Sequence, residues 1–526
     1  MAHGALPAFV RLRRGRRGRL QLERRLYAGG GFVFDERVNF LSKFTVLAGA
    51  VRELWITFAV KLLGILAYSI ANSTLVLWIS YDLGFGDVQA GGLVFGWSAL
   101  MTLFTVMVGS FTDAIGLRKA FLLGVIVCTL ARALMTFSTT PWIALGGGLV
   151  LLAAGEALGT PVLVAAVRRY STTAQRSIAF SLFYAVMNVG FFIAGYIFDF
   201  VRQRVGEPHG RFTLPVLEIE LSTYQTLFLV SLVVEVCIIP LLYFGLRGGV
   251  EATDEGVKIT PELPKYSQEP LLRSLLWTCR DALTDSVRIF AGLWRQPGFY
   301  KFLGFLALAA FVRLIFIQMY YTYPKFGIRE LGAGAPIGRL WAINSLLIIF
   351  LVPVVGALTQ RVAAYTMVSI GSAVAAGSVF IMALPPAWFQ AMADGWLGNF
   401  IGHFYLGLNG EVNPYYVMIL LFVVMLSVGE AIYSPRLYEY AAVIAPKGQE
   451  ASYMSISYLP FFLAKLLVAS SSGYLLAWFC PETGPRNSPM LWLVIALITT
   501  VAPVGLFTLR KYIRVHEAGR DEAGTG

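Results

Sequence analysis

Nine charged residues fall inside stretches that are otherwise apolar: Lys61, Arg132, Glu156, Glu235, Arg313, Glu430, Arg436, Glu439 and Lys465. A charge near the centre of a bilayer costs ~2.5 kcal/mol or more, so each of these needs a partner, a wet cavity or a task. Their mixed signs, with Lys61, Arg313 and Lys465 set against Glu156 and Glu430, suit a charged or zwitterionic solute better than a greasy cation. A carboxylate in low dielectric is also the kind of group that loads and releases a proton. Glu53, Thr57 and Lys61 share one helical face. Arg436 and Glu439, three apart, read as a structural pair, while Arg132 and Glu235 are open to either lateral packing or function. Tyr320, Tyr321 and Tyr323 beside Arg313 either line a cavity or anchor a helix at the membrane interface.

The elements that hold these charges follow from composition. The 526 residues are 57% hydrophobic and only 14% charged, against about 25% charged in a soluble domain. The apolar residues come in blocks of roughly 20, the length a helix needs to cross the hydrocarbon layer. Barrel strands would alternate at period two, whereas runs such as ALITTVAPVGLF are continuous, so the spans are helices. We place them near 54–81, 88–112, 119–140, 142–167, 177–201 and 224–246, then 299–324, 336–360, 362–385, 415–441, 451–478 and 489–511. Arg118, Lys119, Arg168, Arg169, Arg176, Arg361, Lys447, Arg510 and Lys511 all fall on one side, and the opposite short loops carry Asp82, Asp87, Asp394, Glu411 and Glu482. The positive-inside bias then puts both termini in the cytoplasm of a cell-membrane protein. The same bias, not nucleic-acid binding, accounts for the net charge of +12.

Other chemistries are excluded. The cysteines Cys128, Cys237, Cys279 and Cys480 have no close spacing, and the four histidines are scattered, so no metal site or disulfide framework is legible. No phosphate-binding loop, nucleophile motif or cofactor loop stands out, so neither an enzyme nor an ATP-driven pump is indicated, and no cofactor is expected.

The chain divides into a basic cytoplasmic tail (1–51), a six-helix bundle (52–246), a cytoplasmic linker (247–298), a second six-helix bundle (299–512) and a short tail (513–526). Eight arginines lie between Arg11 and Arg25 with no apolar run beside them, which fits contact with anionic lipid; an organelle transit peptide is the alternative, though serine is scarce. Within the linker, Leu272, Leu275, Leu276, Leu283, Val287, Ile289, Phe290 and Leu293 form the apolar stripe of an amphipathic surface helix.

The halves are related. GEALGTP at 155–161 recurs as GEAIYSP at 429–435, and at the same offset Gln175 matches Gln449, Ser181 matches Ser455 and Tyr184 matches Tyr458. GSFTD at 109–113 is echoed by GALTQ at 356–360. Parallel repeats about an axis normal to the membrane build one large transporter class, with the solute site between the halves. The segment GSFTDAIGLRKAF resembles the loop motif GxxxDxxGRK of the major facilitator superfamily, with one residue inserted. There Gly109 allows close helix contact, Gly116 permits the turn, and Asp113 can pair with Arg118 or Lys119; the resemblance implies a latch on the cytoplasmic side.

FSLFYAVMNVG at 180–190, WAINSLLIIFLVPVVGAL at 341–358 with Asn344 and Pro353, and GEAIYSP are similar to patterns of the proton-dependent oligopeptide transporters within that superfamily. The chain is therefore identified as resembling a diverged member of that family. The family's span-1 motif survives only as Glu53, Ile56, Thr57 and Phe58; Thr160 replaces a lysine, Ile317 stands where span 7 carries its acid, and Glu430 alone lines up directly. The resemblance implies an all-α membrane fold of twelve helices in two pseudo-symmetric bundles, working as a monomer by alternating access on a small solute with protons as coupling ion. An exporter or antiporter of amphipathic compounds, or a receptor derived from a transporter, are the competing readings. For solute binding and coupling the residues are Lys61, Glu156, Arg313, Asn344, Glu430 and Lys465, with Lys61 and Arg313 facing each other across the cavity.

Asp113→Asn removes a charge pair and a dipole contact together worth ~1–2 kcal/mol, several-fold in a near-balanced equilibrium. It is expected to speed labelling of cysteines placed at the cytoplasmic mouth; an unchanged rate would argue against the latch.

Overall fold

Lipid offers the backbone no hydrogen bonds, so each crossing must satisfy its own amides by winding into a helix. A computed structural model of the chain describes residues 10–14, 20–24, 45–138, 140–215, 218–260, 266, 270–294, 297–359, 362–444 and 459–514. Among these, 12 helices are long and apolar enough to cross a membrane. Spans 1 to 6 are Arg52–Asp82, Asp87–Thr105, Leu117–Phe137, Ile143–Arg169, Ile178–Val205 and Thr223–Gly245. Spans 7 to 12 are Phe299–Tyr321, Ile337–Gly356, Ala364–Ala383, Pro414–Leu437, Phe462–Phe479 and Ser488–Thr508. Hydroxyls inside them fold back onto their own helix: Thr74 donates to Ile70 O at 2.7 Å and Ser427 to Val423 O at 2.7 Å. Thr172 with Gln175, and Ser222 with Gln225, form the capping boxes that start the helices of spans 5 and 6.

Packing follows the sequence repeat. Span 1 lies on spans 5 and 6, span 2 on span 4, and span 3 on spans 4 and 6; span 7 lies on spans 11 and 12, span 8 on span 10, and span 9 on spans 10 and 12. Between the halves, span 2 meets span 11 and span 5 meets span 8, two contacts related by the same repeat.

The glycine before each repeated glutamate explains the GE pair. A Cβ on Gly155 would stand 2.5 Å from Cys128 Sγ of span 3, and one on Gly429 would stand 2.6 Å from Ala375 N of span 9. Small residues let two membrane helices touch backbone to backbone. Seating Gly155 and Gly429 this way fixes the rotation of spans 4 and 10 and turns Glu156 and Glu430 away from the contact.

Three features depart from the sequence reading. The basic N-terminal segment contains an antiparallel hairpin, Val10–Arg14 against Leu20–Arg24, within a separate unit, Met1–Ala48. The linker opens with a second hairpin, Val250–Thr253 against Gly256–Ile259, before the expected helix, Leu271–Leu293, which packs on the helix of span 2. The connection between spans 9 and 10 contains a wide-turn helix, Asn399–Tyr405, whose Phe400 and Phe404 stack at 5.8 Å, with Trp396 just before it stacked on Phe400 at 6.0 Å, all three exposed. Residues 445–458, which hold Lys447, Gln449, Ser455 and Tyr458, lie outside the described residues, as does Arg361.

Gly155→Ala forces its methyl against Cys128 backbone as well as side chain, a displacement costing about 1–3 kcal/mol. Gly64→Ala meets nothing within 4 Å. Thermal unfolding in detergent is expected to show a lowered midpoint for the first variant and no loss for the second.

Candidate functional site

Span 10 brings Glu430 into a cluster that draws on both halves. Asn344 of span 8 donates to Glu430 Oε2 at 3.0 Å and to Ser427 Oγ at 3.1 Å, and Tyr184 of span 5 reaches Glu430 Oε1 at 3.4 Å. Asn344 and Glu430, both singled out by sequence, are therefore in contact. Tyr184 comes from the other half, so the carboxylate reports on how the halves sit.

Lys61 of span 1 packs on Phe183, one residue along span 5 from that contact. Its ammonium stands 4.5 Å from the centre of the Phe183 ring, and the side chain is 1% exposed. Among the described residues no carboxylate pairs with it. Phe183 and Tyr184 are consecutive, so a buried cation and a buried carboxylate approach the same turn of span 5 from opposite halves.

The other interior charges take separate places. Arg313 donates to Ser434 Oγ at 3.2 Å and sits 5.4 Å from the Tyr433 ring. Lys61 and Arg313 are thus each seated on an aromatic ring of their own half. Lys465 crosses from span 11 to span 2, 3.7 Å from the Trp97 ring and 3.4 Å from Met101 Sδ. Glu156, expected in the cavity, is bound at 2.6 Å to Arg132 of span 3, with Glu235 of span 6 on the guanidinium's other side at 3.4 Å. Arg436 donates to Thr359 O at 2.8 Å, and the side chain of Glu439 lies outside the described residues. Tyr321 and Tyr323 are buried, and Tyr323 donates to Ile337 O at 3.1 Å, so neither is an interface anchor.

The face formed by the connections after the odd-numbered spans is sealed by contacts that sequence reasoning missed. Asp199 of span 5 accepts from the backbone N–H of Gly338 at 2.9 Å and of Arg339 at 2.6 Å. These are unsatisfied donors at the N-terminus of span 8, so the cap of a second-half helix is supplied by the first half. Arg202 binds Asp199 at 3.1 Å and Ala335 O at 3.0 Å, and Glu207 accepts from Gly334 N at 3.0 Å. Asp199 and Arg202 are both 0% exposed.

Glycines permit the approach: a Cβ on Gly195 would stand 2.5 Å from Gly338 O, and one on Gly473 2.3 Å from Asp87 O. At that second contact Asp87, read from sequence as a loop acid, opens span 2 and binds Lys325 at 2.7 Å and Arg329 at 2.9 Å. Burial pulls the Lys325 ammonium below its ordinary value, while Asp87 opposes the shift. The usable signal was Asp199 and Arg202 three apart inside a span end.

At the opposite face the loop expected after span 2 shrinks to Gly116, whose φ of 91° is glycine territory. Arg118 and Lys119 are in the first turn of span 3, and Arg118 donates to Tyr243 O at 2.6 Å. Gly109 lies in the helix Asp87–Ile115, and the side chain of Asp113 is outside the described residues, so the proposed latch stays an inference from sequence.

Twelve spans in two repeated sets, with inter-half contacts closing one face over buried charges, define a multi-pass membrane transporter. The Major Facilitator Superfamily model matches residues 57–402, and the chain belongs to that superfamily. Its members are transporters and not enzymes. The fold is that of the POT transporters. A POT family transporter in complex with 5-aminolevulinic acid matches with a TM-score of 0.63 at 16% identity, covering 88% of this chain and 97% of that one. A POT family transporter in complex with a thioalcohol-conjugated peptide has the same values. A bacterial homologue of the human drug peptide transporters matches with a TM-score of 0.58 at 18% identity, over 88% and 99% of the two chains. No curated relative matches the sequence.

Asp199→Asn keeps one acceptor but loses the charge that holds Arg202 and the span 8 dipole. The sealed state is expected to lose about 2 kcal/mol, roughly thirty-fold in population. Spin labels on exposed Arg204 and Glu411 should show a new, longer distance in the variant; an unchanged distribution would mean that the seal does not depend on Asp199.

Proposed function

We propose that the protein is a proton-coupled secondary active transporter of a small zwitterionic or anionic, peptide-like solute, working by alternating access in the cell membrane with both termini cytoplasmic. One observation carries this reading: Lys61, buried with no carboxylate partner among the described residues, and Glu430, buried and hydrogen-bonded to Asn344 and Tyr184, lie against neighbouring residues of span 5. A cation of this burial without a counter-ion is costly, and a solute carboxylate entering beside it lowers that cost. Glu430 can take a proton when the cavity opens to water and lose it on the other side. The neighbours crystallised with 5-aminolevulinic acid and with a conjugated peptide support the solute class.

Alternation needs a state in which the sealed face opens. The Asp199, Arg202 and Asp87 contacts stabilise the closed state and must part in the open one. Because Asp199 holds Gly338 and Arg339, Arg202 holds Ala335 and Asp87 holds Lys325 and Arg329 across the two halves, solute binding between the halves can bias the equilibrium through differential affinity alone.

The test is uptake into liposomes of a panel of dipeptides, amino acids and their amides under an inward proton gradient. The wild type is expected to concentrate at least one acid and to prefer it to its amide. Lys61→Gln should erase that preference. Glu430→Gln should still exchange solute yet lose accumulation by about tenfold or more, one decade per 1.4 kcal/mol of lost coupling. Normal accumulation in Glu430→Gln, or an equal acid preference in Lys61→Gln, would remove that residue from the mechanism.

A further inference from the structure

A second set of buried charges lies wholly in the first half and has no part in the solute contacts above. Arg132 donates through Nη2 to Glu156 Oε1 at 2.6 Å and through Nε to Ser231 Oγ at 2.8 Å. Ser231 spends its own proton on Ala67 O at 2.8 Å, so it has none for a neighbour. Glu235, four residues along the same helix, stands 3.4 Å from Arg132 Nη1. That contact lacks hydrogen-bond geometry: Nη1 is buried with no hydrogen-bond partner, and among the described residues Glu235 makes no hydrogen bond. Side-chain exposure is 1% for Arg132, 10% for Glu156 and 7% for Glu235.

Two carboxyl groups therefore share one guanidinium, and only Glu156 is held by it. An ionised carboxylate that is buried, unbonded and beside a second carboxylate is penalised twice, by desolvation and by like charge, whereas its protonated form escapes both penalties. The other groups facing the cluster do not restore the balance. Cys128 of span 3 and Tyr68 of span 1 are neutral, and Lys465 of span 11 touches Trp97 and Met101 but no carboxylate. Lys465 does lie within electrostatic reach of Glu156, and it belongs to the other half.

We propose that Glu235 is a proton-carrying carboxyl of the transport cycle, remote from the solute, and that Lys465 sets its proton affinity from the opposite half. While Arg132 pairs with Glu156, Glu235 keeps its proton. When the halves move so that Lys465 engages Glu156, Arg132 is free to turn its unpartnered Nη1 onto Glu235, which then gives its proton to water in the open cavity. The inference rests on the proton-coupled reading and moves part of the coupling into the first half, where the related family's span-1 motif survives only as Glu53, Ile56, Thr57 and Phe58.

The experiment needs no solute. Full-length protein in lipid nanodiscs is examined by infrared difference spectroscopy between mildly acidic and mildly alkaline buffer, where a titrating buried carboxyl gives a C=O stretching band that shifts in heavy water. The wild type is expected to show such a band, Glu235→Gln to lose it, and Glu235→Asp to keep a displaced one. Glu430→Gln should retain the Glu235 band, and Lys465→Gln should move its titration midpoint without abolishing it, a change that a packing role would not produce. A Glu235→Gln spectrum identical to wild type, or a midpoint unmoved in Lys465→Gln, overturns the proposal. Failure of gradient-driven uptake leaves this band unaffected, so the two readings fail separately.

Discussion

A charge inside a membrane protein cannot be left to solvent, and that single constraint organises this structure. Each interior charge is answered differently. Asp199 and Arg202 satisfy each other and the end of a helix in the other half, Arg132 is shared by two acids, and Lys61 and Lys465 rest on aromatic rings. The differences matter because a fully satisfied charge fixes a conformation, whereas a half-satisfied one invites a change of partner. The sealed face has the first kind and the membrane interior the second.

The sealed face is the more rigid of the two because its polar contacts join backbone as well as side chains. Asp199 holds two main-chain N–H groups, Arg202 and Gln203 hold the main-chain oxygens of Ala335 and Gly334, and Arg329 holds that of Cys480. The connection between spans 9 and 10 braces the same region through Tyr405, which donates to Arg339 O at 3.0 Å and meets Tyr196 at 3.2 Å. Packed interfaces of this kind are bistable and do not deform gradually. Opening this face means breaking it as a unit, which is how solute and proton occupancy in the interior can be read out at a distance.

The internal repeat shows how duplicated halves acquire different chemistry. In both, a glycine presses its span onto the preceding odd-numbered one, and the glutamate after it turns inward. In the first half that glutamate finds Arg132 and becomes part of an ion cluster with Glu235. In the second it finds Asn344 and, from across the midline, Tyr184. One backbone geometry thus serves a local charge store in one half and an inter-half contact in the other.

The sequence alone determined the solvent, the number and type of spans, the two-fold repeat and the residues whose charges lie within spans. These are local properties: blocks of apolar residues, the glycine and acid of the GE pair, and the rarity of charge in such blocks. Asn344 and Glu430 were also legible, because they sit in stretches resembling known patterns. Partner choice was not legible. Asp87 meets Arg329 across 242 residues of chain and Lys465 meets Met101 across 364, and no spacing rule reaches that far. Glu156 has Arg132 as its partner, because the Gly155 contact sets the rotation of span 4 against span 3. Asp199 was not among the residues that the sequence singled out. Only the packing of span 5 on span 8 made it the cap of another helix.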